Sequence, residues 1–405
     1  MTTANHSRVG VWLIGAWGGV STTVAVGLAS LQRDLADETG LVSALPPFSE
    51  LGLVGWDRLV IGGHEIRDTT FADAAATLNE QSGVFQPAAL QAIAGRLAEF
   101  DADVRPGTLM NVGATIESLA GDRAKQTAGE RPAEAIRRIV SDLNEFREGN
   151  ALERVIVVNL ASTEPPSELR DVPERWDDLS AALETADVSP VPASSIYAIA
   201  AMQADCAFVN FTPSVGSNLP AVCEYADRQG VTHVGRDGKT GETLLKSVLA
   251  PMFAARNLNV MSWVGHNIFG NLDGVVLDDP ANKANKVHSK DHLLTEILGY
   301  RPQSLVSIEY IESMGDWKTA WDHIHFRGFL GTKMAMQFTW QGCDSLLAAP
   351  LVLDLVRFTE FEQRRGGSGV MTHLSSFFKS PMGENVPAEF ARQYALLEDW
   401  AANAR

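Results

Sequence analysis

The chain has 405 residues, 45% hydrophobic and 20% charged, with a formal net charge of −17, a length that suits two or three domains with ample material for a core. The negative excess argues against non-specific binding to nucleic acid or an anionic membrane, so an anionic substrate requires cations concentrated locally. Cys206, Cys223 and Cys343 form no CxxC pair, no stretch reaches about 18 uninterrupted apolar residues, and the N-terminal MTTANHSRVGVWLIG reads as a first strand and not a signal peptide, so a reduced, cytoplasmic setting is expected.

Residues 8–30, RVGVWLIGAWGGVSTTVAVGLAS, predict a strand from Val9 to Ile14, a tight turn at Gly15, Gly18 and Gly19, and a helix to about Ala29 that Ser21 can cap. RLVIGG at 58–63 predicts a second buried strand. Residues 70–100 predict helices, the second opened by Pro87, and 132–148 is strongly amphipathic. VIVVNLA at 155–161 is another buried strand, ended by Pro165 and Pro166. A helix at 194–204 precedes CAFVNFTP, a further strand. This alternation predicts an α/β fold with a parallel sheet. From about residue 245 the pattern changes. LVSIEYIE at 305–312 and KMAMQFTWQ at 333–341 alternate as half-buried strands do, which suggests an antiparallel sheet in a second domain. Residues 343–361 read as a long apolar helix returning to the first domain.

A strand, then G-x-x-G-G, then a helix is an arrangement that binds a pyrophosphate: glycines let the backbone approach, and the helix start offers free N–H groups and partial positive charge. The stretch does not match G-x-G-x-x-G, and a purely structural turn competes with this reading. Glu65 in GGHEIRD supplies an acid for ribose hydroxyls. The loop LASTEPPSE at 160–168 follows the third clear strand and is placed to border the same crevice.

Eight of the nine lysines lie from Lys239 to Lys379, three of them in ANKANKVHSK at 281–290. The plain reading is a solvated basic loop. Three features weigh against it. GHNIFGNLDG at 265–274 precedes it and is more than a simple turn; Lys318 neighbours Asp316 in SMGDWKTAWD; and Lys379 in FFKSP is flanked by aromatics that would lower its pKa if buried. Ammonium groups sharing a cavity depress one another, which can free one as a base. In GRDGKTGETLLKS, Thr240, Gly241 and Thr243 can hold a phosphate with N–H and hydroxyl donors. His323 and His325 fall on one strand face, and without a third ligand in pattern they read as polar surface or interface, not metal ligands.

These stretches resemble the myo-inositol-1-phosphate synthase family. GHNIFGNLDG, NKVHSK, SMGDWKTAWD, CDSLLAAPLVLDL, FFKSP, GRDGKTGETLLKSVLAP and SSIYAIAAMQADCAFVNFTP carry the resemblance across roughly residues 190–385. The N-terminal half is similar more loosely, through the glycine turn, GGHEI and VIVVNLASTE. The resemblance implies active-site lysines at Lys286, Lys290, Lys318 and Lys379, acids at Asp237, Asp273, Asp316 and Asp344, and an amide at Asn267. It implies a phosphate turn of Thr240, Gly241, Glu242 and Thr243 with Lys290. On the cofactor side it implies Gly15, Ala16, Trp17, Gly18, Gly19, Val20, Ser21, Glu65, Ser162, Thr163 and Asp237.

It further implies a Rossmann-like dinucleotide domain (1–243, completed by 345–405) and an α+β, sheet-rich substrate and oligomerisation domain (244–344). A homotetramer is implied, with tightly bound, regenerated NAD, a monovalent or divalent cation near the phosphate, and conversion of glucose 6-phosphate to a myo-inositol phosphate. The chain departs from the family pattern at WGGVSTT, where asparagines are usual, at His64 and Glu65 (commonly Trp-Asp), at Glu242 (usually Gln), at Leu272 (Asn) and at Cys343 (Glu). A carboxylate at 242 is unfavourable beside a phosphate unless turned away or paired with lysine. These changes leave a related cyclase acting on another sugar phosphate, such as fructose 6-phosphate, as the alternative. A binding protein without activity and a plain sugar-phosphate dehydrogenase are the readings from other classes.

Overall fold

Buried on every residue, strand β1 (Val9–Ile14) has the composition that a parallel strand covered on both faces requires. It pairs in parallel with β2 (Leu59–Glu65) on one side and β4 (Arg154–Asn159) on the other. Beyond β2 lies β3 (Val104–Pro106); beyond β4 lie β5 (Ala207–Asn210), β6 (Thr232–Gly235) and, from near the C-terminus, β11 (Gly369–Val370). The order is β11-β6-β5-β4-β1-β2-β3, parallel throughout. The parallel α/β expectation is met in this computed structural model, which describes residues 7–165, 169, 171–271, 274 and 293–404. Strand order reverses between β1 and β4, and the crevice outside the carboxyl ends of the strands at such a point is where open α/β sheets bind ligands.

Alternate residues of β1 feed two cores. Val11 and Leu13 pack with helices Gly19–Leu31, Phe71–Ser82, Pro87–Asp101 and Asp344–Arg364. Trp12 and Ile14 pack with helices Pro132–Gly149 and Ala193–Gln203 on the opposite face. The first helix begins at Gly19, three residues earlier than a cap at Ser21 would allow. Gly18 is the N-cap residue and no side chain caps the end; Ser21 lies within the first turn. The reason is contact. Gly19 meets the helix Asp344–Arg364, where a Cβ would fall 2.9 Å from Ser345 Oγ, so the helix starts as soon as the glycines permit. Gly15, at φ +78°, passes Ala161 so closely that a Cβ would lie 2.9 Å from its Cα.

The second sheet corrects the antiparallel expectation. It contains β7 (Asn259–Phe269), β8 (Gln303–Tyr310), β9 (Trp317–Arg327) and β10 (Lys333–Cys343), in the order β10-β9-β7-β8. β9 runs antiparallel to both β7 and β10, but β7 and β8 are parallel. A parallel neighbour needs a connection of about a dozen residues or more, and residues 270–302 supply it. The first half of GHNIFGNLDG therefore belongs to a strand. One face of this sheet packs on the helix Glu242–Ala255 through Phe253, Trp263 and Ile324. The other carries exposed Trp321, with His323 and His325 half-buried beside it, their ring centroids 6.4 Å apart. After β10, the helix Asp344–Arg364 returns to the first sheet, as expected, and Phe390–Asn403 closes that core through Trp400.

Candidate functional site

A cleft of about 500 Å³ runs along the carboxyl ends of the parallel strands, a volume in the range of small-molecule and cofactor sites. Gly15, Trp17, Gly18, Gly19 and Val20 form one wall, and Leu160 to Glu164 form the facing one. Glu65, the last residue of β2, is buried there; its carboxylate accepts the Trp17 backbone N–H at 2.8 Å. The Trp17 indole N–H donates to Asp101 at 2.8 Å. At the start of the helix Gly19–Leu31, the Ser21 and Thr22 hydroxyls are buried without a hydrogen-bond partner among the described residues, and Thr22 lines the cleft. Uncapped helix N–H groups, orphaned hydroxyls and close glycine backbone fit a dinucleotide's diphosphate. On the facing wall, Glu164 accepts the Ser194 N–H and hydroxyl, each at 2.6 Å, and so caps the helix Ala193–Gln203; burial raises its carboxyl pKa.

The far end of the cleft is built from two segments that run side by side. Lys239 N–H donates to Phe377 O at 2.8 Å and Lys379 N–H to Asp237 O at 2.7 Å. Asp237 adopts φ +64°, and its carboxylate accepts the Lys379 ammonium at 2.8 Å. The ammonium is thereby held at the wall of the cleft that Gly15, Gly18 and Thr240 also line. Lys239 lies on the other side of the same turn. It is buried, donates to Gln393 Oε1 at 2.5 Å, and is pushed down to about 7 by burial and then by the Lys379 charge.

A cluster of acids completes that end. Buried Asp316 accepts the Cys343 thiol at 2.8 Å, the Ser345 N–H at 2.8 Å and the Asn271 amide at 3.0 Å. Burial raises its carboxyl pKa against the effect of those donors, and burial followed by the Asp316 charge pushes the Cys343 thiol up. Asp316 N–H is in turn held by Ser82 Oγ at 3.0 Å. Thr240 donates its hydroxyl to Asp344 at 3.2 Å, tying its turn to the helix Asp344–Arg364.

The NAD-binding family model described as myo-inositol-1-phosphate synthase matches residues 9–402. The chain belongs to this family. It is 32% identical over 417 residues to inositol-3-phosphate synthase 1 of Bacteroides thetaiotaomicron, covering 97% of this chain and 93% of that one. With inositol-3-phosphate synthase 1 of Mus musculus it shares 30% identity over 387 residues, covering 90% and 68%. The crystal structure of inositol-3-phosphate synthase from Caenorhabditis elegans superposes with a TM-score of 0.84 at 25% identity, covering 98% of this chain and 86% of that one. The chain is thus a member of an NAD-binding enzyme family of isomerase and cyclase type.

Of the residues singled out from the sequence of this synthase-family chain, the cleft is lined by Gly15, Trp17, Gly18, Gly19, Val20, Glu65, Ser162, Thr163, Asp237, Thr240, Asp316, Asp344 and Lys379. Ala16 and Ser21 are buried behind that surface. Gly241, Glu242, Thr243 and Asn267 stand apart from the lining. Glu242 is buried on the helix Glu242–Ala255, 2.5 Å from Lys246 Nζ one turn on, and accepts the Asn267 amide at 2.7 Å. Asp322, itself bonded to the Trp263 indole at 2.6 Å, lies 4.0 Å from the same ammonium. Glu242 is both turned from the cleft and paired with lysine, the two conditions that make a carboxylate tolerable at that turn. Lys318 is likewise absent from the lining, and its ammonium lies 5.3 Å from the Phe269 ring centroid. Lys286, Lys290, Asp273 and Leu272 lie outside the described residues.

Sequence reasoning missed Lys239, Lys246 and Ser82. The Glu242–Lys246 spacing of four on a helix was a signal for the pairing; Ser82 carried none. No three His, Cys, Asp or Glu side chains gather to hold a metal ion among the described residues, and no described helix is long and apolar enough to cross a membrane.

Proposed function

We propose that this chain is an inositol-3-phosphate synthase: an NAD-dependent isomerase that converts glucose 6-phosphate to a myo-inositol phosphate by internal oxidation, enolisation, aldol ring closure and reduction. The glycine turn and the start of the helix Gly19–Leu31 would hold NAD, which would supply reversible hydride acceptance for the oxidation and the later reduction. The chain's own groups manage the charge and the protons. Each step builds or moves negative charge on oxygen, which fixed ammonium groups stabilise strongly in a dry site. Lys379 exchanges the proton of the C5 hydroxyl, with Asp237 orienting its ammonium. Thr240 and its turn receive the phosphate. Lys286 stabilises the C5 oxyanion and enolate, while Lys290 and Lys318 hold the phosphate or the C1 oxygen; these three assignments come from the sequence resemblance. Asp316 and Asp344 border the substrate end, and Asp344 holds the Thr240 hydroxyl.

The observation that carries this reading is the Lys379–Asp237 ion pair at 2.8 Å, standing in the same cleft as the glycine turn. A binding module has no need of an ammonium set against the cofactor wall. The reading treats residues 1–243 with 345–405 as the dinucleotide domain and 244–344 as the substrate and assembly domain. It includes a cytoplasmic homotetramer formed by covering the open face of the second sheet, where Trp321 is 46% and Leu305 54% exposed; a cation is no part of it. The alternative substrate was motivated in part by Glu242, and that residue faces Lys246. Incubation with NAD and glucose 6-phosphate, then fructose 6-phosphate, with products identified by NMR, tests the assignment. Carbocycle formed from fructose 6-phosphate alone would overturn it.

A further inference from the structure

In dinucleotide folds an acid after the second strand binds the ribose 2′-hydroxyl, or an arginine nearby accepts a 2′-phosphate. Here both residue types are present and they are bonded to each other. Glu65 Oε1 accepts the backbone N–H groups of Ile66 at 2.9 Å and Arg67 at 3.1 Å, and Oε2 accepts that of Trp17 at 2.8 Å. The Arg67 guanidinium spans both oxygens, Nε to Oε1 at 3.3 Å and Nη2 to Oε2 at 3.0 Å. A carboxylate offers about four lone-pair sites. Three backbone donors and two guanidinium donors fill them, so Glu65 is free to accept from ribose only if Arg67, the one movable donor, swings away.

Exposure points the same way. The Glu65 side chain is 3% exposed and that of Arg67 23%, and Arg67 lines the cleft. The surface presented at the ribose position is therefore a guanidinium over a neutralised acid. Its remaining N–H donors match phosphate oxygens in a planar fork. Of the neighbouring charges, Asp68 also lines the cleft and keeps its negative charge while accepting the Asp122 N–H at 2.7 Å, Asp101 accepts the Trp17 indole, and Arg123 lies 6.0 Å from the Trp17 ring, outside the lining.

We propose that Arg67 sets the choice at the ribose 2′ position and admits a 2′-phosphorylated dinucleotide, NADP, beside NAD. The inference rests on the dinucleotide reading of this cleft. Its test is binding, not turnover. Full-length protein freed of nucleotide is titrated calorimetrically with NAD and with NADP, for the wild type, Arg67→Gln and Arg67→Lys. The expected result is a wild-type Kd for NADP within about tenfold of that for NAD. In Arg67→Gln, NADP weakens by about tenfold or more, the effect of losing one charge-assisted phosphate contact, while NAD changes by less than about threefold. Arg67→Lys, which keeps the charge but not the fork, falls between. Undetectable NADP binding to a wild type that binds NAD overturns the inference, as does an NADP-to-NAD ratio that Arg67→Gln leaves unmoved. If neither dinucleotide binds, the dinucleotide reading falls first and takes this inference with it.

Discussion

Ser82 ends the helix Phe71–Ser82, and its hydroxyl accepts the buried N–H of Asp316, an acid that lines the cleft. Its carbonyl accepts the Trp317 indole at 2.8 Å. Between these bonds Gly315, at φ +54°, passes so close that a Cβ would lie 2.9 Å from both Gln81 O and Ser82 Oγ. Replacing Ser82 with Ala removes one oxygen, adds no bulk and keeps the indole bond. Asp316 N–H is then buried without its acceptor, a penalty of about 1–3 kcal/mol. The loop can escape that penalty only by moving Asp316 out of register with Ser345 and Asn271. We expect kcat/KM for glucose 6-phosphate to fall by roughly 5- to 150-fold, the same energy expressed as a ratio. NAD affinity should hold, because Ser82 is not part of the cleft lining. Steady-state turnover, NAD titration and a thermal melt on one preparation measure all three quantities. A kcat/KM within twofold of wild type, whatever the melt shows, would refute the claim that Ser82 positions the acid.

Lys379→Ala should lower turnover by about 10²–10³-fold, the loss typical of one oxyanion-stabilising donor, with NAD still bound; near-normal turnover would remove Lys379 from the catalytic set. Glu242→Ala leaves the Lys246 ammonium, 1% exposed, without its nearest acid, and should destabilise the fold by about 3–5 kcal/mol, whereas Glu242→Gln should cost less. Urea midpoints decide this, and an alanine variant as stable as the glutamine one contradicts it. His233 and His373 are each pushed by burial from 6.5 to about 4, so the native state must keep them neutral. Their contribution is complete above the unfolded value of 6.5 and is lost as pH falls toward 4, roughly 3 kcal/mol for each. Melting temperatures between pH 7.5 and 4.5 should drop, and His233→Asn should flatten the slope; an equal slope in the variant refutes the assignment.

The parallel sheet was legible because strands such as Val9–Ile14 are apolar without interruption, a pattern that only burial on both faces explains. β7 was harder to see. Its central Gly265 and Asn267 break the strand alternation, and they are buried because of what lies opposite. A Cβ on Gly265 would fall 2.7 Å from Glu242 Oε1, and Asn267 gives its amide to the same carboxylate. Concentration of lysines could not show which ammonium meets solvent, core or cleft. Lys379 and Lys246 have similar local settings in the sequence, yet one lines the cleft and the other is interred beside Trp263. The support of Asp316 by Ser82 spans 234 positions and has no local signature.

The pairing of residues 236–239 with 377–380, and of the helix Gly19–Leu31 with Asp344–Arg364, bears on how the chain is made. The earliest helix to leave the ribosome finds its main partner more than three hundred positions later, which at usual rates of synthesis is a delay on the order of tens of seconds. Until then Val24 and Leu28 have only β1 and the helices Phe71–Ser82 and Pro87–Asp101 to pack on, and their core lacks Val352, Leu353 and Val356. Fragments that stop short of Asp344 should therefore collect on chaperones or aggregate, and a nascent chain released early has no route to a partly working enzyme.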